Sequence, residues 1–176
     1  MKNKIFIIGM AAVGKTTIGK KLAIRLNKEF PGMAFSFQDA DEALEWIMGR
    51  TIKDVIINDG IKTFRKEEAQ YYKYYTLDNA VIATGGGCVE TPANRKKIKK
   101  DGFNIYLTAR NQTIIDRLKK RKHLKDQKNW KKFIAEKNNL RRPYFEKLAD
   151  ITVNAEDPKV IDNIIKQMKI KIKRWG

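Results

Sequence analysis

Ile5-Phe6-Ile7-Ile8-Gly9-Met10-Ala11-Ala12-Val13-Gly14-Lys15-Thr16-Thr17 is the stretch that decides the fold of this chain. Its second part has the pattern glycine, four residues, Gly-Lys-Thr, which is the pattern of a phosphate-binding P-loop. Such a loop needs a buried strand before it and a helix after it. The apolar, β-branched run over 5–8 is typical of a strand that is buried on both faces.

A helix is predicted directly after this loop. From Thr16 onward the apolar residues recur at helical spacing, at Ile18, Leu22, Ala23 and Leu26. Because the start of a helix leaves N–H groups unpaired and carries partial positive charge, anionic oxygens bind there. We therefore predict an ATP-binding loop made of Ala12, Val13, Gly14, Lys15, Thr16 and Thr17. In it, Lys15 is expected to reach the β- and γ-phosphates, and the Thr16 hydroxyl to ligate Mg²⁺.

Two other interpretations of the N-terminal stretch exist. Met1-Lys2-Asn3-Lys4 and the apolar residues after it resemble a secretory signal. A P-loop pattern can also arise by chance in an unrelated chain. A signal peptide has no need of Gly-Lys-Thr-Thr at the start of an amphipathic helix, so we favour the phosphate-binding interpretation.

The length and composition restrict the class of protein. A chain of 176 residues is expected to form one domain over 1–176. No apolar run approaches the roughly 20 residues of a membrane span. The single cysteine, Cys88, cannot form an internal disulfide, which favours a cytoplasmic location. With His123 as the only histidine, catalysis must rest on carboxylates, lysine, arginine and backbone groups.

The formal net charge of +18 raises the possibility of nucleic-acid binding. Basic residues recur on nearly every predicted helix, however, and lysine outnumbers arginine. This distribution fits a solvated surface better than a face that reads bases. A nucleic-acid-binding module regulated by ATP stays as the second hypothesis, while the same positive field would attract a small anionic substrate.

Two aspartates follow the second predicted strand, which covers residues 34–37. Since parallel sheets bind ligands at the carboxyl ends of their strands, Asp39 and Asp41 should lie beside the P-loop. In an extended chain they would point the same way, one toward Mg²⁺ and one toward the acceptor. The alternative is that Asp41 only caps a helix predicted over 42–48.

A mostly helical segment is predicted over 51–78. Thr51 is expected to cap a helix over 52–57, Gly60 to turn the chain, and a second helix to cover 61–77. The second helix carries several tyrosines, which we interpret as packing residues: Tyr71, Tyr72, Tyr74 and Tyr75.

Arg65 and Glu68 are spaced three residues apart on the second of these helices and can pair on one face. A guanidinium that is buried and oriented in this way binds a carboxylate through two parallel hydrogen bonds. The alternative is an ordinary ion pair on the surface.

Three glycines, Gly85-Gly86-Gly87, follow a third predicted strand. They permit a close approach of groups that a Cβ would prevent, and their N–H groups could bind an anion or a hydroxyl. A simple glycine turn is the alternative. Strands that alternate with helices predict an α/β fold with a doubly wound parallel sheet, its strands at 5–8, 34–37, 80–84, 103–107 and 150–154.

The last third of the chain contains a basic segment over 117–132 that could close over bound ATP or could simply be a solvated charge run. Arg141 and Arg142 follow, at the entry to what we predict as a short helical turn before Phe145. A final amphipathic helix is predicted over 158–175.

The order of these motifs resembles that of the shikimate kinase family over about residues 4–158. The motifs are the P-loop, Asp39-x-Asp41, Gly49-Arg50-Thr51-Ile52, Phe64-Arg65-x-x-Glu68, Gly85-Gly86-Gly87 and Arg141-Arg142-Pro143. The resemblance implies a three-layer P-loop kinase fold with a five-stranded parallel sheet. It also implies a single domain with a helical substrate-binding insert at about 41–78 and a short mobile lid at about 119–130.

The resemblance further implies an activity. Members of the family transfer the γ-phosphate of ATP, with Mg²⁺ as cofactor, to the 3-hydroxyl of shikimate in aromatic amino-acid biosynthesis. ATP and shikimate are thus the expected partners, with no membrane or nucleic acid, and we expect a monomer. A P-loop kinase that acts on another small hydroxylated acid is the alternative within the enzymes.

The residue roles implied by the resemblance fall into two groups. On the acceptor side, Asp41 would be the base at the acceptor hydroxyl, Arg65 would bind the shikimate carboxylate, and Glu68 would orient Arg65. Arg141 would be the second arginine at that carboxylate. The substrate would also contact Gly85, Gly86 and Gly87.

On the nucleotide side, Asp39 would hold Mg²⁺ through water, Arg117 would flank the adenine, and Arg121 would be the lid arginine that contacts ATP. The catalytic set is therefore Lys15, Asp41 and Arg121. The chain departs from the usual family pattern at several positions. Ala12 stands where a further glycine is usual, which should narrow the room for the backbone around the phosphates. Arg142 adds a charge beside Arg141, so that the two could exchange roles. Ile61 replaces the usual glutamate after Gly60, and the lid lacks the usual Arg-Pro-Leu-Leu string.

Overall fold

The computed structural model, which describes residues 4–119 and 129–172, contains a five-stranded sheet in which every pairing is parallel. The strand order is β2-β3-β1-β4-β5. The strands are β1 (Lys4–Ile8), β2 (Ser36–Asp39), β3 (Ala80–Ala83), β4 (Gly102–Thr108) and β5 (Ile151–Asn154). The predicted parallel sheet is therefore confirmed, and β1, which delivers the P-loop, lies at its centre.

Helices connect the strands and cover both faces of the sheet, as parallel crossovers require. They are α1 (Lys15–Glu29), α2 (Ala40–Met48), α3 (Ile52–Tyr74), α4 (Pro92–Asp101), α5 (Asn111–Lys119), α6 (Trp130–Leu148) and α7 (Val160–Ile172). A short 3-10 turn, Cys88–Glu90, precedes α4. Among the described residues, no helix has both the length and the apolar character that a membrane crossing requires.

The side chains of β1 alternate between two hydrophobic clusters, one on each face of the sheet. Phe6 and Ile8 belong to the cluster that includes Tyr72 of α3. Ile5 and Ile7 belong to the cluster that includes Leu22 of α1. This arrangement of helices, sheet and helices is the three-layer architecture expected from the sequence.

The start of α2 differs from the sequence-based prediction. Strand β2 begins two residues later than predicted, and its last residue, Asp39, pairs with Ala83. The Asp39 carboxylate accepts a 3.0 Å hydrogen bond from the Asp41 amide and caps α2, which begins at Ala40. The hypothesis that Asp41 is the cap is therefore wrong, and so is the extended geometry over 39–41. Asp41 instead lies in the first turn of α2.

The helical segment after α2 begins as predicted at a Thr51 cap, whose hydroxyl accepts a 3.1 Å hydrogen bond from the Asp54 amide. Gly60, with φ 86° and ψ 160°, breaks α3 into two helical halves. The second half ends at Tyr74, three residues earlier than predicted. Tyr71 and Tyr72 pack in the core, whereas the side chains of Tyr74 and Tyr75 are exposed.

The short turn predicted around Arg141 is in fact part of the long helix α6, which continues through Pro143. Proline has no N–H for the helical hydrogen bond and is disfavoured inside a helix, so a helix of this length was not predicted. Beyond the proline, the fully buried ring of Phe145 stacks on Tyr106 of β4 with centroids 5.2 Å apart. Burial of Phe145 and Leu148 holds the last turn of α6 on the sheet.

Candidate active site

A cavity of about 900 Å³ lies at the carboxyl ends of β1, β2 and β5. It is bordered by the P-loop and the start of α1, by Asp39 at the end of β2 and Asp41 just after it, and by the segment that follows β5. The lining residues that bear on the chemistry are Lys15, Thr16, Asp39, Asp41, Arg117 and Pro158. The sheet edge predicted from the sequence is thus the edge at which the cavity opens.

Three P-loop residues have positive φ angles. Gly9 has φ 143° and Gly14 has φ 115°, and a Cβ on Gly9 would stand 2.6 Å from the Leu107 carbonyl oxygen. Ala12 has φ 61°, a left-handed conformation that glycine adopts at lower cost. Alanine in place of the usual glycine therefore leaves a strained backbone at this position, an effect that the sequence prediction had described only as loss of room.

The Lys15 ammonium donates hydrogen bonds to two carbonyl oxygens of its own loop, those of Gly9 at 3.0 Å and Met10 at 2.8 Å. The Thr16 hydroxyl donates a 2.7 Å hydrogen bond to the Asp39 carboxylate. The loop, the start of α1 and the end of β2 are therefore joined by direct polar contacts. Lys15, Thr16 and Asp39 all border the cavity, as the sequence predicted.

Asp41 lies at the rim of the same cavity. Asp41 is an exposed residue, but one of its carboxylate oxygens packs against Gly85 and loses water on that side. This loss of water raises its pKa, Lys15 opposes the rise, and the negative charge of Asp39 adds to it. A carboxylate in this position can accept a proton from a hydroxyl group that is bound in the cavity.

Arg65 and Glu68 form the predicted pair, and the pair is not on the surface. Arg65 Nη1 lies 3.0 Å from Glu68 Oε2, and the Glu68 side chain is only 1% exposed. Asn94 donates a further 3.1 Å hydrogen bond to the same oxygen. Burial raises the pKa of Glu68 to about 7, although the charge of Arg65 acts in the opposite direction.

Arg65 also makes a second ion pair, with Glu90. Its Nη2 donates a 2.7 Å hydrogen bond to Glu90 Oε2. Arg141 donates to the other oxygen, Oε1, from Nε at 3.2 Å and from Nη2 at 3.1 Å. Lys137 lies 3.5 Å from the same Oε1. One carboxylate therefore joins the two arginines that the sequence had placed at the acceptor.

Arg142 does not share this cluster. It pairs with Glu146 at 2.7 Å on the outer face of α6, and its side chain is 66% exposed. The sequence left open whether Arg142 could exchange roles with Arg141, and the structure places only Arg141 against Arg65 and Glu90.

Each glycine of the triple-glycine segment is packed against a different part of the site. A Cβ on Gly85 would lie 2.7 Å from an Asp41 oxygen, and one on Gly86 would lie 2.9 Å from the Ala11 amide nitrogen. A Cβ on Gly87 would overlap the Arg65 guanidinium and approach Arg141 to 3.1 Å. The close approach predicted from these glycines is present, and the simple-turn alternative does not explain it.

The triple-glycine segment also connects the cavity with the pair of arginines, Arg65 and Arg141. The part of the cavity lining that the structure describes contains Asp41 and Gly86 but neither Arg65 nor Arg141. The arginines lie beyond Asp41, next to Gly87, with the Glu90 carboxylate between them.

Arg117 of α5 lies across the P-loop and donates to the Ala12 carbonyl at 3.2 Å and the Val13 carbonyl at 2.8 Å. Arg117 and Pro158 both line the cavity. Arg121 and most of the predicted lid at about 119–130 lie outside the described residues.

Three polar residues of the site were not identified from the sequence. They are Glu90, Asn94 and Lys137, and all three contact Glu68, Arg65 or a neighbour of these. Glu90 follows the triple glycine by three residues, which is the signal that could have identified it. Asn94 and Lys137 lie within helices among many polar residues, so their positions carry no such signal.

The oxygen atoms of Thr16 and Asp39 are the ligand type that Mg²⁺ prefers. No group of three or more His, Cys, Asp or Glu side chains in the described part of the chain could hold a metal ion unaided. A Mg²⁺ ion bound with nucleotide phosphates needs only one or two protein oxygens, since phosphate and water supply the rest. The residues at this edge therefore fit a Mg²⁺–nucleotide complex.

Comparison with known proteins agrees with this geometry. The family model described as shikimate kinase matches residues 11–169. The shikimate kinase of Caldanaerobacter subterraneus subsp. tengcongensis is 35% identical over 171 residues, which cover 96% of this chain and 94% of the relative. The shikimate kinase of Bacillus anthracis is 33% identical over 170 residues, covering 96% and 97%.

Solved structures give the same result. The shikimate kinase from Acinetobacter baumannii in complex with shikimate has a TM-score of 0.83 and 25% identity, and the match covers 98% of this chain and 94% of that one. The shikimate kinase from Aquifex aeolicus has a TM-score of 0.78 and 28% identity, covering 94% and 96%. This chain therefore belongs to the shikimate kinase family.

Proposed function

We propose that this protein transfers the γ-phosphate of ATP to the 3-hydroxyl of shikimate, giving shikimate 3-phosphate and ADP. The observation that carries the proposal is the position of Asp41. It borders the P-loop cavity together with Lys15, and its carboxylate lies against Gly85, which also adjoins Glu68 of the Arg65 pair. A phosphate donor at the loop and an acid acceptor at the arginines would meet at this carboxylate.

The nucleotide half of the proposal assigns residues 12–17 to the phosphates of ATP. Backbone N–H groups at the start of α1 and the Lys15 ammonium supply positive charge there. Lys15 would exchange its contacts with the loop carbonyls for phosphate oxygens. Arg117, which borders the same cavity, would flank the adenine. The assignment of Arg121 to the transferring phosphate stays a prediction from the sequence.

The acceptor half assigns Arg65 and Arg141 to the carboxylate of shikimate. A guanidinium presents a planar pair of donors, which suits a carboxylate better than an ammonium does. Buried Glu68 would hold Arg65 in orientation. Gly85, Gly86 and Gly87 would line the acceptor, and α2 and α3 would form the substrate-binding insert at about 41–78 within one domain.

The chemistry follows from this arrangement. The acceptor oxygen forms a bond to the γ-phosphorus as the bond from that phosphorus to the β–γ bridging oxygen breaks, and ADP leaves. Asp41 accepts the proton of the acceptor hydroxyl. Such a base contributes typically 10²- to 10⁴-fold, and positioning with charge neutralisation supplies most of the remaining acceleration. Lys15 neutralises charge on the phosphates during transfer.

Mg²⁺ would be held by the Thr16 hydroxyl and, through water, by Asp39. When bound it would neutralise charge on the β- and γ-phosphates. The 2.7 Å contact between Thr16 and Asp39 brings both oxygens to one point of the cavity wall and so supports this assignment.

Two alternatives from the sequence remain for comparison. A kinase for another small hydroxylated acid would use the same arginines, but the relatives above are named shikimate kinases. A nucleic-acid-binding role would leave the buried Arg65–Glu68 pair without a purpose. A cytoplasmic location and a monomeric state stay predictions from the sequence.

The proposal is tested by measuring ADP release with MgATP and a panel of hydroxy acids that includes shikimate and gluconate. We expect shikimate to give the highest kcat/KM by a wide margin. Higher turnover with another acid would show that the protein is a kinase whose acceptor is that acid and not shikimate. No turnover with any acid, together with binding of a short duplex that weakens steeply with salt, would favour the nucleic-acid alternative.

A further inference from the structure

The carboxylate of Glu90 occupies the space between Arg65 and Arg141. It makes a 2.7 Å hydrogen bond to Arg65 and bonds of 3.1 and 3.2 Å to Arg141. Each arginine presents donors to a different oxygen of the same carboxylate, which is the arrangement that a bound carboxylate ligand would adopt. The site proposed for the substrate carboxylate therefore already holds a carboxylate of the protein.

The charges around Glu90 make this occupation stable. The cations are Arg65, Arg141 and Lys137, and the only other carboxylate paired with them in the described residues is Glu68. Partial burial alone would raise the pKa of Glu90, but the charges of Arg141 and Arg65 lower it below its usual value. Glu90 is thus an anion at neutral pH and neutralises charge that would otherwise attract a ligand.

The backbone of Glu90 is fixed, while its side chain has a route away from the arginines. Its amide donates a 3.0 Å hydrogen bond to the Gly87 carbonyl, and its carbonyl accepts one of 3.2 Å from Arg95. The Glu90 side chain is 26% exposed, and that of Lys137, whose Nζ lies 3.5 Å from Glu90 Oε1, is 32% exposed. Because both side chains reach solvent, rotation of the Glu90 side chain can remove its carboxylate from between the arginines while Lys137 stays near it.

We propose that Glu90 sets the affinity of this enzyme for its acid substrate. In the free protein its carboxylate fills the binding position between Arg65 and Arg141, and the substrate carboxylate displaces it. This inference rests on the proposed function for the identity of the acid. It predicts that binding is weaker than the two arginines alone would give, because each binding event must break the contacts of Glu90.

The first test compares the wild type with Glu90→Gln, which keeps the shape of the side chain and removes its charge. We expect the KM for shikimate to fall between about 3-fold and 30-fold, as loss of competing charge-assisted hydrogen bonds implies, with kcat within about 2-fold. Shikimate methyl ester has no negative charge, so its KM should change little. Glu146→Gln, which removes an exposed partner of Arg142 on α6, is the matched control and should change neither value.

A different result would identify a different role. If Glu90 instead holds Arg65 and Arg141 in position, Glu90→Gln will raise the KM for shikimate, and that result overturns the inference. An unchanged KM overturns it as well. Glu90→Ala serves as a second variant, because it removes both the charge and the hydrogen-bonding capacity, and it too should lower the KM.

A binding measurement separates this inference from the proposed function. Calorimetric titration with benzoate, a simple carboxylate probe, needs no nucleotide and no turnover. We expect benzoate to bind Glu90→Gln at least about 3-fold more tightly than the wild type, even if shikimate proves not to be the substrate. Equal or weaker binding by the variant would contradict the inference whatever the acceptor is.

Discussion

The Thr16 hydroxyl and the Asp39 carboxylate, 23 residues apart in the chain, are joined by a 2.7 Å hydrogen bond. This contact connects the start of α1, directly after the P-loop, to the end of β2. Asp39 has a second task, since its other oxygen caps α2 and so sets the position of Asp41. The positions that we propose for the metal and for the base are therefore connected through one side chain.

Asp39→Asn should weaken the response to Mg²⁺ without loss of the fold, because asparagine caps a helix as well as aspartate does. Loss of a residue that orients metal-bound water typically costs 10- to 100-fold in metal affinity. We expect the Mg²⁺ concentration at half-maximal activity to rise by about that factor. The measurement is a Mg²⁺ titration at fixed ATP. Asp116→Asn, in an exposed pair with Lys119, is the control. Equal Mg²⁺ responses of wild type and Asp39→Asn would contradict the metal assignment.

Asp41→Asn should lower kcat by about two orders of magnitude or more, because the amide cannot accept the proton of the acceptor hydroxyl. The affinity for ATP should change little, since Asp41 lies at the rim of the nucleotide cavity. Single-turnover kinetics and calorimetry with ATP separate the two effects. Glu42→Gln is the control, because it replaces the carboxylate of the next residue of α2, which is exposed, by an amide. Near wild-type turnover in Asp41→Asn would remove Asp41 from the mechanism.

Arg65→Lys should raise the KM for shikimate by about 10-fold or more while kcat and the KM for ATP stay close to wild type. The charge is retained, but the planar pair of donors that reaches Glu68 and the substrate is lost. Steady-state kinetics with each substrate varied in turn gives the result. Arg142→Lys, in an exposed pair, should behave as wild type. A rise in the KM for ATP alone would show that Arg65 acts on the nucleotide and not on the acceptor, and would contradict this prediction.

Gly87→Ala should also raise the KM for shikimate, by at least about 5-fold, because the new Cβ would displace the Arg65 guanidinium. The backbone of Gly87, with φ −102°, accepts alanine, so the effect comes from the side chain alone. Gly32→Ala is the matched control, because a Cβ there would meet no atom within 4 Å. If both variants have the wild-type KM, the close approach at Gly87 has no part in substrate binding.

Glu68→Gln tests the buried pair through the pH dependence of stability. Because the pKa of Glu68 is raised in the folded state to about 7 from its ordinary value of 4.5, the unfolded chain loses this proton first as the pH rises. The free energy of unfolding of the wild type should therefore fall relative to the variant between about pH 4.5 and 7, by about 1 to 3 kcal/mol. Urea unfolding of both proteins at pH 5 and pH 8 measures this change. If the free energies of unfolding of wild type and variant differ by the same amount at pH 5 and pH 8, Glu68 has an ordinary pKa and the prediction is wrong.

The nucleotide half of the site was largely predictable from the sequence, because it depends on local order. A buried strand, a glycine-rich loop and a helix follow one another without interruption, so Lys15 and Thr16 could be placed from their spacing alone. The pairing of Arg65 with Glu68 was predictable for the same reason, as three residues along a helix bring two side chains together.

The acceptor half depends on contacts between distant segments, which the spacing of residues along the chain does not predict. Glu90 meets Arg141 only because α6 packs beside the 3-10 turn after β3, a contact across 51 residues. The continuation of α6 through Pro143 was missed because tertiary packing of Phe145 outweighs the local preference of proline. The left-handed conformation of Ala12 was hidden as well, since alanine gives no sign of a positive φ.

The most direct test of the account is phosphorus NMR of the products formed by the purified protein from MgATP and shikimate, with Asp41→Asn run in parallel. We expect one equivalent of ADP for each phosphate ester, the ester at the 3-hydroxyl, and almost no product from the variant in the same time. Release of inorganic phosphate without an ester, or an ester at another hydroxyl, would contradict the proposed meeting of nucleotide and acceptor at Asp41.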